Sequence, residues 1–437
     1  MKFRFLAALA IALPVFGQYA GPAILSRGEV PSELIAPDIR FIPQVSVGGV
    51  YDTGLSGVAV NDSGQLAGTA SYGYYVSWGV SGNHHWRHTQ LGLSYNGSIT
   101  GYSTQTQFNS MSQTMLLGVT HQFNRRAAIR FSEAAGMYSR NYQTTPLVET
   151  VPFDPSTTYV PQTDFFDNRT IFATSGVNLT LQKTSRLSFS MGGLAFTNSR
   201  DSHSLTNAWG VNAQGDVQYR VTRKSTVGAY YNFMHFGYSS TSGGTDVHGF
   251  GASYSRALSA RWQLSGYGGM MRVESKYLQT QAVDPLIAAL LGITQAPLIS
   301  HVLQSSPMMA GRISRSMRRG VLYANGGRGV TAGNGFFLTS IVTTVGGGYS
   351  YTAFRHWSLN AQVIHLSANS EGTISGKYGN TIFSLSAGRQ LGRYTHWSAS
   401  YSMNNYTSPQ FGNYNRRIDM AAITVGFSPG EVRLSTH

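Results

Sequence analysis

The chain has 437 residues, of which 41% are hydrophobic and only 11% charged, with 50 glycines, 25 tyrosines, no cysteine and a formal net charge of +14. A soluble globular domain carries about 25% charged residues, and a helical membrane protein shows apolar runs of about 20 residues. Neither describes this sequence, and with heptads also missing, coiled coil, disulfide scaffold, zinc ribbon and helical transporter are excluded together.

In chain order, Lys2 and Arg4 precede the apolar run Phe5 to Phe16. Pro14, Gly17 and Gln18 stop that run well short of a membrane span, so residues 1–17 are expected to be a secretory signal peptide and the remainder an exported protein. Residues 18–40 contain Pro22, Pro31 and Pro37 and are expected to form an extended periplasmic arm or small plug. From Phe41 onward a large apolar residue alternates with a small or polar one, the period of a strand. Tyr72, Tyr74, Val76, Trp78 and Val80 fall on one side of the first clear example, and Trp209, Val211, Ala213, Gly215, Val217 and Tyr219 on one side of another. Apolar residues are too few for both faces of such strands to be buried, so one face meets something apolar and the other meets water.

Between the strands a basic turn recurs. One arginine from each turn (Arg87, Arg125, Arg186, Arg223, Arg261, Arg318, Arg355 and Arg393) gives separations of 38, 61, 37, 38, 57, 37 and 38 residues. An interval near 38 holds two strands of about 10 to 12 residues with their loop and turn, enough to cross a bilayer twice at a tilt. Eight such turns join sixteen strands. An opening strand near Phe41–Thr53 and a closing one near Arg417–Phe427 raise the count to about eighteen; sixteen is the alternative, because Ser305–Gly335 is the weakest stretch. The two long intervals place long loops at Asn141–Arg169 and Ser275–Gln304. In the second, Asp284 and Pro285 start a short apolar helix through Leu286, Leu290 and Leu291, expected to fold inward as a constriction, with the outer leaflet or a partner as the alternative places for it. Rings near strand ends (Trp86, Tyr138, Trp209, Tyr219, Trp262, Tyr349, Tyr351, Trp357 and Trp397) are expected at the membrane interfaces. The strand parity aims Asn178, Gln182, Asn212, Gln214, Asp216, Gln218, Arg220, Tyr230, Asn232, Arg312, Asn360 and Gln362 into the lumen as pore-lining residues.

This pattern over residues 41–428 resembles the bacterial outer-membrane β-barrel proteins and, more loosely, the general porins. The closing strand Met420–Phe427 resembles their assembly signal, with Phe427 as the terminal aromatic, although a tail over residues 429–437 follows it. The resemblance implies an all-β fold, a single transmembrane antiparallel up-and-down barrel integral to the outer membrane of a Gram-negative-type envelope. Its implied partners are outer-membrane lipids and the assembly machinery.

No catalytic signature appears: G-x-S-x-G, H-E-x-x-H and the Walker-type loop are all missing. His84, His85 and His88 share one turn, where an interfacial turn is favoured over a metal site. No enzyme activity, cofactor or metal is expected. Basic residues recur singly or in pairs at the turns, so they read as contacts to anionic headgroups and not as a nucleic-acid surface. The expected function is a porin-like channel for passive diffusion of small hydrophilic solutes. A structural or adhesive barrel plugged by its own loops is the alternative, with a barrel-embedded hydrolase below both. Oligomeric state is left open.

Overall fold

A computed structural model describes residues 39–55, 69–104, 106–138, 169–202, 205–239, 243–282, 295–333, 335, 338–351, 357–370, 376–409, 415–429 and 432–434. The expected signal segment, most of the arm and the expected loop Asn141–Arg169, except Arg169 itself, lie outside them.

The strands follow one another as β1 (Ile39–Leu55), β2 (Thr69–His85), β3 (Thr89–Tyr102), β4 (Ser110–Asn124), β5 (Ala127–Tyr138), β6 (Thr170–Gln182), β7 (Leu187–Arg200), β8 (Ala208–Arg220) and β9 (Ser225–Tyr238). The second half continues with β10 (Gly244–Ala257), β11 (Trp262–Ala282), β12 (Gln295–Met317), β13 (Gly320–Thr331), β14 (Ser340–Tyr351), β15 (Trp357–Ser370), β16 (Gly376–Gln390), β17 (Thr395–Thr407) and β18 (Arg416–Phe427). A three-residue β19 (Val432–Leu434) pairs with Ile39–Phe41, so part of the expected tail extends the sheet. Each strand pairs antiparallel with its chain neighbours, and β18 closes on β1 from Val45↔Phe427 to Asp52↔Met420. The result is one closed transmembrane barrel of eighteen long strands. Closure joins the first and last strands, the condition for strands in lipid, although β12 above Met309 has no partner on its β13 side.

The short turns are built by local hydrogen bonds. Asn124 Oδ1 accepts from the Arg126 N–H at 2.7 Å, Thr184 Oγ1 accepts from the Leu187 N–H at 3.0 Å, and Ser259 Oγ accepts from the Trp262 N–H at 3.1 Å. Such side chains stand in for a backbone turn. The basic residues beside them, including Arg87, Arg125, Arg186, Arg223, Arg261, Arg318 and Arg393, are exposed at this rim. The start of β1 and the end of β18 lie together on the same side.

Two expectations are corrected. Ser275–Gln304 is not one long loop: β11 runs on to Ala282 and β12 begins at Gln295, paired through Ala282↔Gln295. The mutual ladder of these strands of 21 and 23 residues carries them past the other strands, and Asp284, Pro285, Leu286, Leu290 and Leu291 fall outside the described residues. Tyr138 is not an interfacial ring. Its register with Thr170 turns it inward, where it is 8% exposed and packs on Phe172.

Inside and outside are distinguished by contact between strands that do not pair. Tyr238 of β9 and Thr245 of β10 reach Thr339 near β14, which is feasible only across the interior. The register then propagates that parity round the barrel. The opposite face carries Val47, Tyr72, Ile171, Met191, Val217, Phe250, Val345, Val363 and Ile423, all exposed and apolar. Trp86, Trp262, Trp357 and Trp397 stand on this outer face at the short-turn rim, and Trp209 stands on it at the long-loop rim. Phe427 joins the short-turn ring beside Tyr394. Near the long-loop rim the outer face turns ionic, with His235–Asp246 at 2.7 Å, Arg417–Asp419 at 2.9 Å and Glu274–His301 at 2.9 Å. These pairs bound the apolar band, since lipid would penalise them heavily.

One carboxylate departs from this arrangement. Glu133 is exposed on the outer face in the middle of β5, where its Oε1 accepts from Ser175 Oγ at 2.6 Å. A charge facing lipid is destabilising, so Glu133→Leu should raise stability in bilayers by about 1–2 kcal/mol. Urea unfolding midpoints in vesicles check this, and a lowered midpoint would refute it.

Candidate functional site

The interior site begins where β13 and β14 leave the wall. β12 and β13 pair only from Met317↔Gly320 to Met309↔Arg328, whereas β13 and β14 remain paired up to Thr331↔Ser340. Above Arg328 the hairpin has parted from β12 and its tip folds into the barrel. The local sequence permits this, because Gly333 and Gly335 have φ of 78° and 90°, in the left-handed region that favours glycine.

The tip is fastened by packing and by hydrogen bonds. Val330, Ala332, Leu338 and Ile341 form one buried cluster with Phe196, Met234, Phe236, Val247, Met271, Val273 and Met308 of the inner wall. Burying a side chain of this size contributes about 1.5–3 kcal/mol. Tyr238 OH accepts from the Thr339 N–H at 2.9 Å and lies 2.6 Å from Thr339 Oγ1, which is also 2.6 Å from Thr245 Oγ1. Gly335 O accepts from the Thr206 N–H, and Ser370 Oγ donates to Leu338 O at 3.3 Å. Gly335 also lies against the Arg200 side chain, whose Cδ would stand 2.9 Å from an added Cβ, so a larger residue there would displace that arginine.

The hydrogen bonds and packing just described run to β7–β12 and β15, one side of the wall. Below the tip on that side, the register turns Gln214, Asp216, Gln218, Arg220, Tyr230, Asn232 and Arg312 inward. Asn212 lies just above them, and Asn178, Gln182, Asn360 and Gln362 are inward on neighbouring strands. All twelve residues expected on the lumenal face therefore share it. Arg312 stacks 5.1 Å from the Tyr323 ring, and Tyr323 OH donates to Gln362 Oε1 at 3.4 Å. Asn178 Nδ2 donates to Ser190 Oγ at 3.1 Å. Other polar atoms have no protein partner, among them Asn212 Oδ1, Gln218 Oε1, Tyr230 OH and both amide atoms of Asn232. These atoms are also closed off from solvent, so this side of the inner wall is densely packed with polar groups.

Across the lumen the wall is chemically different. Ser46, Ser77, Ser98, Ser384, Ser400, Ser402 and Thr424 all face inward, with Ser46 Oγ 2.5 Å from Ser77 Oγ and Ser398 Oγ 2.6 Å from Thr424 Oγ1. Sequence reasoning passed over these hydroxyls because serine is common everywhere in the chain; applying the strand parity to them would have found them. Among the described residues inward charge is mostly positive, with Arg130, Arg200, Arg220, Arg312 and Arg416 against Asp52 and Asp216. His84 packs edge-on to Trp86 at 4.2 Å, and among the described residues no group of three metal-ligating side chains exists.

No protein-family model and no curated protein matches the sequence. Among solved structures it is similar to OccK5 (OpdH) of Pseudomonas aeruginosa, at 12% identity and a TM-score of 0.44 over 91% of this chain and 99% of that one. OpdQ of Pseudomonas aeruginosa gives 9% identity and a TM-score of 0.42 over 91% and 98%. The FrpB iron transporter of Neisseria meningitidis gives 10% identity and a TM-score of 0.41 over 83% of this chain, which spans 62% of the FrpB chain. Likenesses this distant assign no residue a role.

Tyr238→Phe should loosen the tip, since it leaves the buried Thr339 N–H without its acceptor at a cost of about 1–3 kcal/mol. Hydrogen exchange at Thr339 should accelerate by tenfold or more while exchange in β2–β5 stays unchanged.

Proposed function

We propose that the barrel is an outer-membrane channel through which small hydrophilic solutes diffuse passively, with the infolded β13–β14 tip as its constriction. The observation that carries this reading is the wall facing the tip, where the inward hydroxyls of Ser46, Ser77, Ser98, Ser400 and Thr424 are only partly buried, so open space remains beside them inside the closed barrel. A barrel sealed by its own loops would cover these hydroxyls with protein and pair them there. The tip fastens to one side of the wall, so the passage runs between it and the hydroxyl wall of β16–β18 and β1–β3. The amides, phenols and hydroxyls on that route make neutral hydrogen bonds, which suits polyhydroxylated or zwitterionic solutes as readily as water. The excess of inward arginines favours anions over cations of equal size.

Planar-bilayer recording of the purified barrel tests this. Steady openings are expected, with a reversal potential showing anion preference in a salt gradient. Arg220→Gln with Arg312→Gln should shift that potential toward zero. Replacing residues 332–339 by a short glycine-serine link should raise unitary conductance, as expected if the tip narrows the passage. Silence from a barrel that still folds, judged by its heat-modifiable mobility, would favour the structural or adhesive alternative.

A further inference from the structure

The outer face of β10–β12 is not evenly covered. Gly266 pairs with Tyr254 on one side and Gly311 on the other, with Gly268 and Leu264 above and below it on the same face. Together with Ala252 these residues line a depression of about 370 Å³ that is almost wholly apolar. Its floor is open: a Cβ on Gly268 would meet nothing within 4 Å. Exposed Met270 and Met309 stand at its upper end.

Two basic side chains stand beside and just below the depression, outside its lining. Arg256 pairs with Leu264, and Arg315 pairs with Trp262, so both guanidinium side chains are on the outer face just below the apolar seat. Both are exposed, and Arg315 lies over the Trp262 ring at 5.2 Å. The two arginines are two strands apart, about 10 Å across the sheet, and Trp262 is four residues, about 13 Å along the strand, from Gly266. Arg261 in the adjoining turn is exposed at the same rim. Tryptophan and arginine at this height mark the headgroup layer.

We propose that this groove binds one anionic phospholipid, with an acyl chain along Gly268, Gly266 and Leu264 and the phosphate between Arg256 and Arg315. Charge complementarity selects the occupant. The depression lies toward the short-turn rim, where two cations adjoin its apolar lining, and a phosphate monoanion with a hydrocarbon tail satisfies both at once. A second copy of this chain fits less well, because it would have to bring a carboxylate to the rim and a narrow apolar ridge to the groove together. The site depends on the transmembrane placement of the barrel and not on whether its lumen conducts.

The test is native mass spectrometry of the intact barrel released from mixed phosphatidylglycerol and phosphatidylcholine micelles. The unaltered protein should retain one phosphatidylglycerol in preference to phosphatidylcholine. The double variant Arg256→Gln, Arg315→Gln should lose that preference by tenfold or more. Gly268→Leu, which fills the seat and leaves both arginines in place, should lose retention equally. Equal retention of the two lipids by the unaltered barrel overturns the proposal without recourse to variants. Loss in the arginine variant with full retention in Gly268→Leu also overturns it, since that pattern describes adsorption at the rim only. A paired barrel in place of a bound lipid would assign the groove to a second copy.

Discussion

In hydrocarbon a backbone N–H or C=O has no water to turn to, and an unpaired one costs several kcal/mol. Everything else here depends on meeting that demand, and the closure of β18 on β1 meets it. The pairing from Val45↔Phe427 to Asp52↔Met420 joins the edges of the first and last strands. The short β19 against Ile39–Phe41 extends the pairing beyond the seam at the short-turn side.

Once the backbone is satisfied, the side chains divide by parity and the two faces come under different pressures. The outer face has to be largely apolar, with its ion pairs and turn arginines toward the rims; the mid-strand carboxylate of Glu133 is softened by Ser175. The inner face has no such requirement and collects amides, hydroxyls and arginines. Scarce charge and abundant glycine and tyrosine are consequences of this division, since neither face needs many ions and both need close strand contact.

The interior is nevertheless not a uniform tube. Above Arg328 the β13–β14 hairpin trades pairing with β12 for apolar packing on Phe236, Met271 and Met308 and for the Tyr238–Thr339 hydrogen bonds. That exchange narrows one side and leaves the hydroxyl wall facing it. The outer face has a depression of its own, because glycines at positions 266, 268 and 311 leave it without side chains on the lipid side of β10–β12.

Strand existence, the count of eighteen and the parity of residues such as Gln214, Asn232 and Gln362 were legible in the sequence by itself. Alternation is a two-residue property, and a basic turn with Asn, Ser or Thr is recognisable within four. Tyr138 was misplaced where proximity to a strand end was preferred to parity. The tertiary structure alone decided that the β13–β14 tip turns inward. The apolar tip Val330–Ile341 and the apolar segment near Leu286 look equally in need of cover when read locally. Only the arrangement in space supplies Phe196, Val247 and Met308 to the first. It alone also shows that Ser275–Ala282 stays in a ladder, because the choice between loop and strand there depends on a partner strand that begins at Gln295.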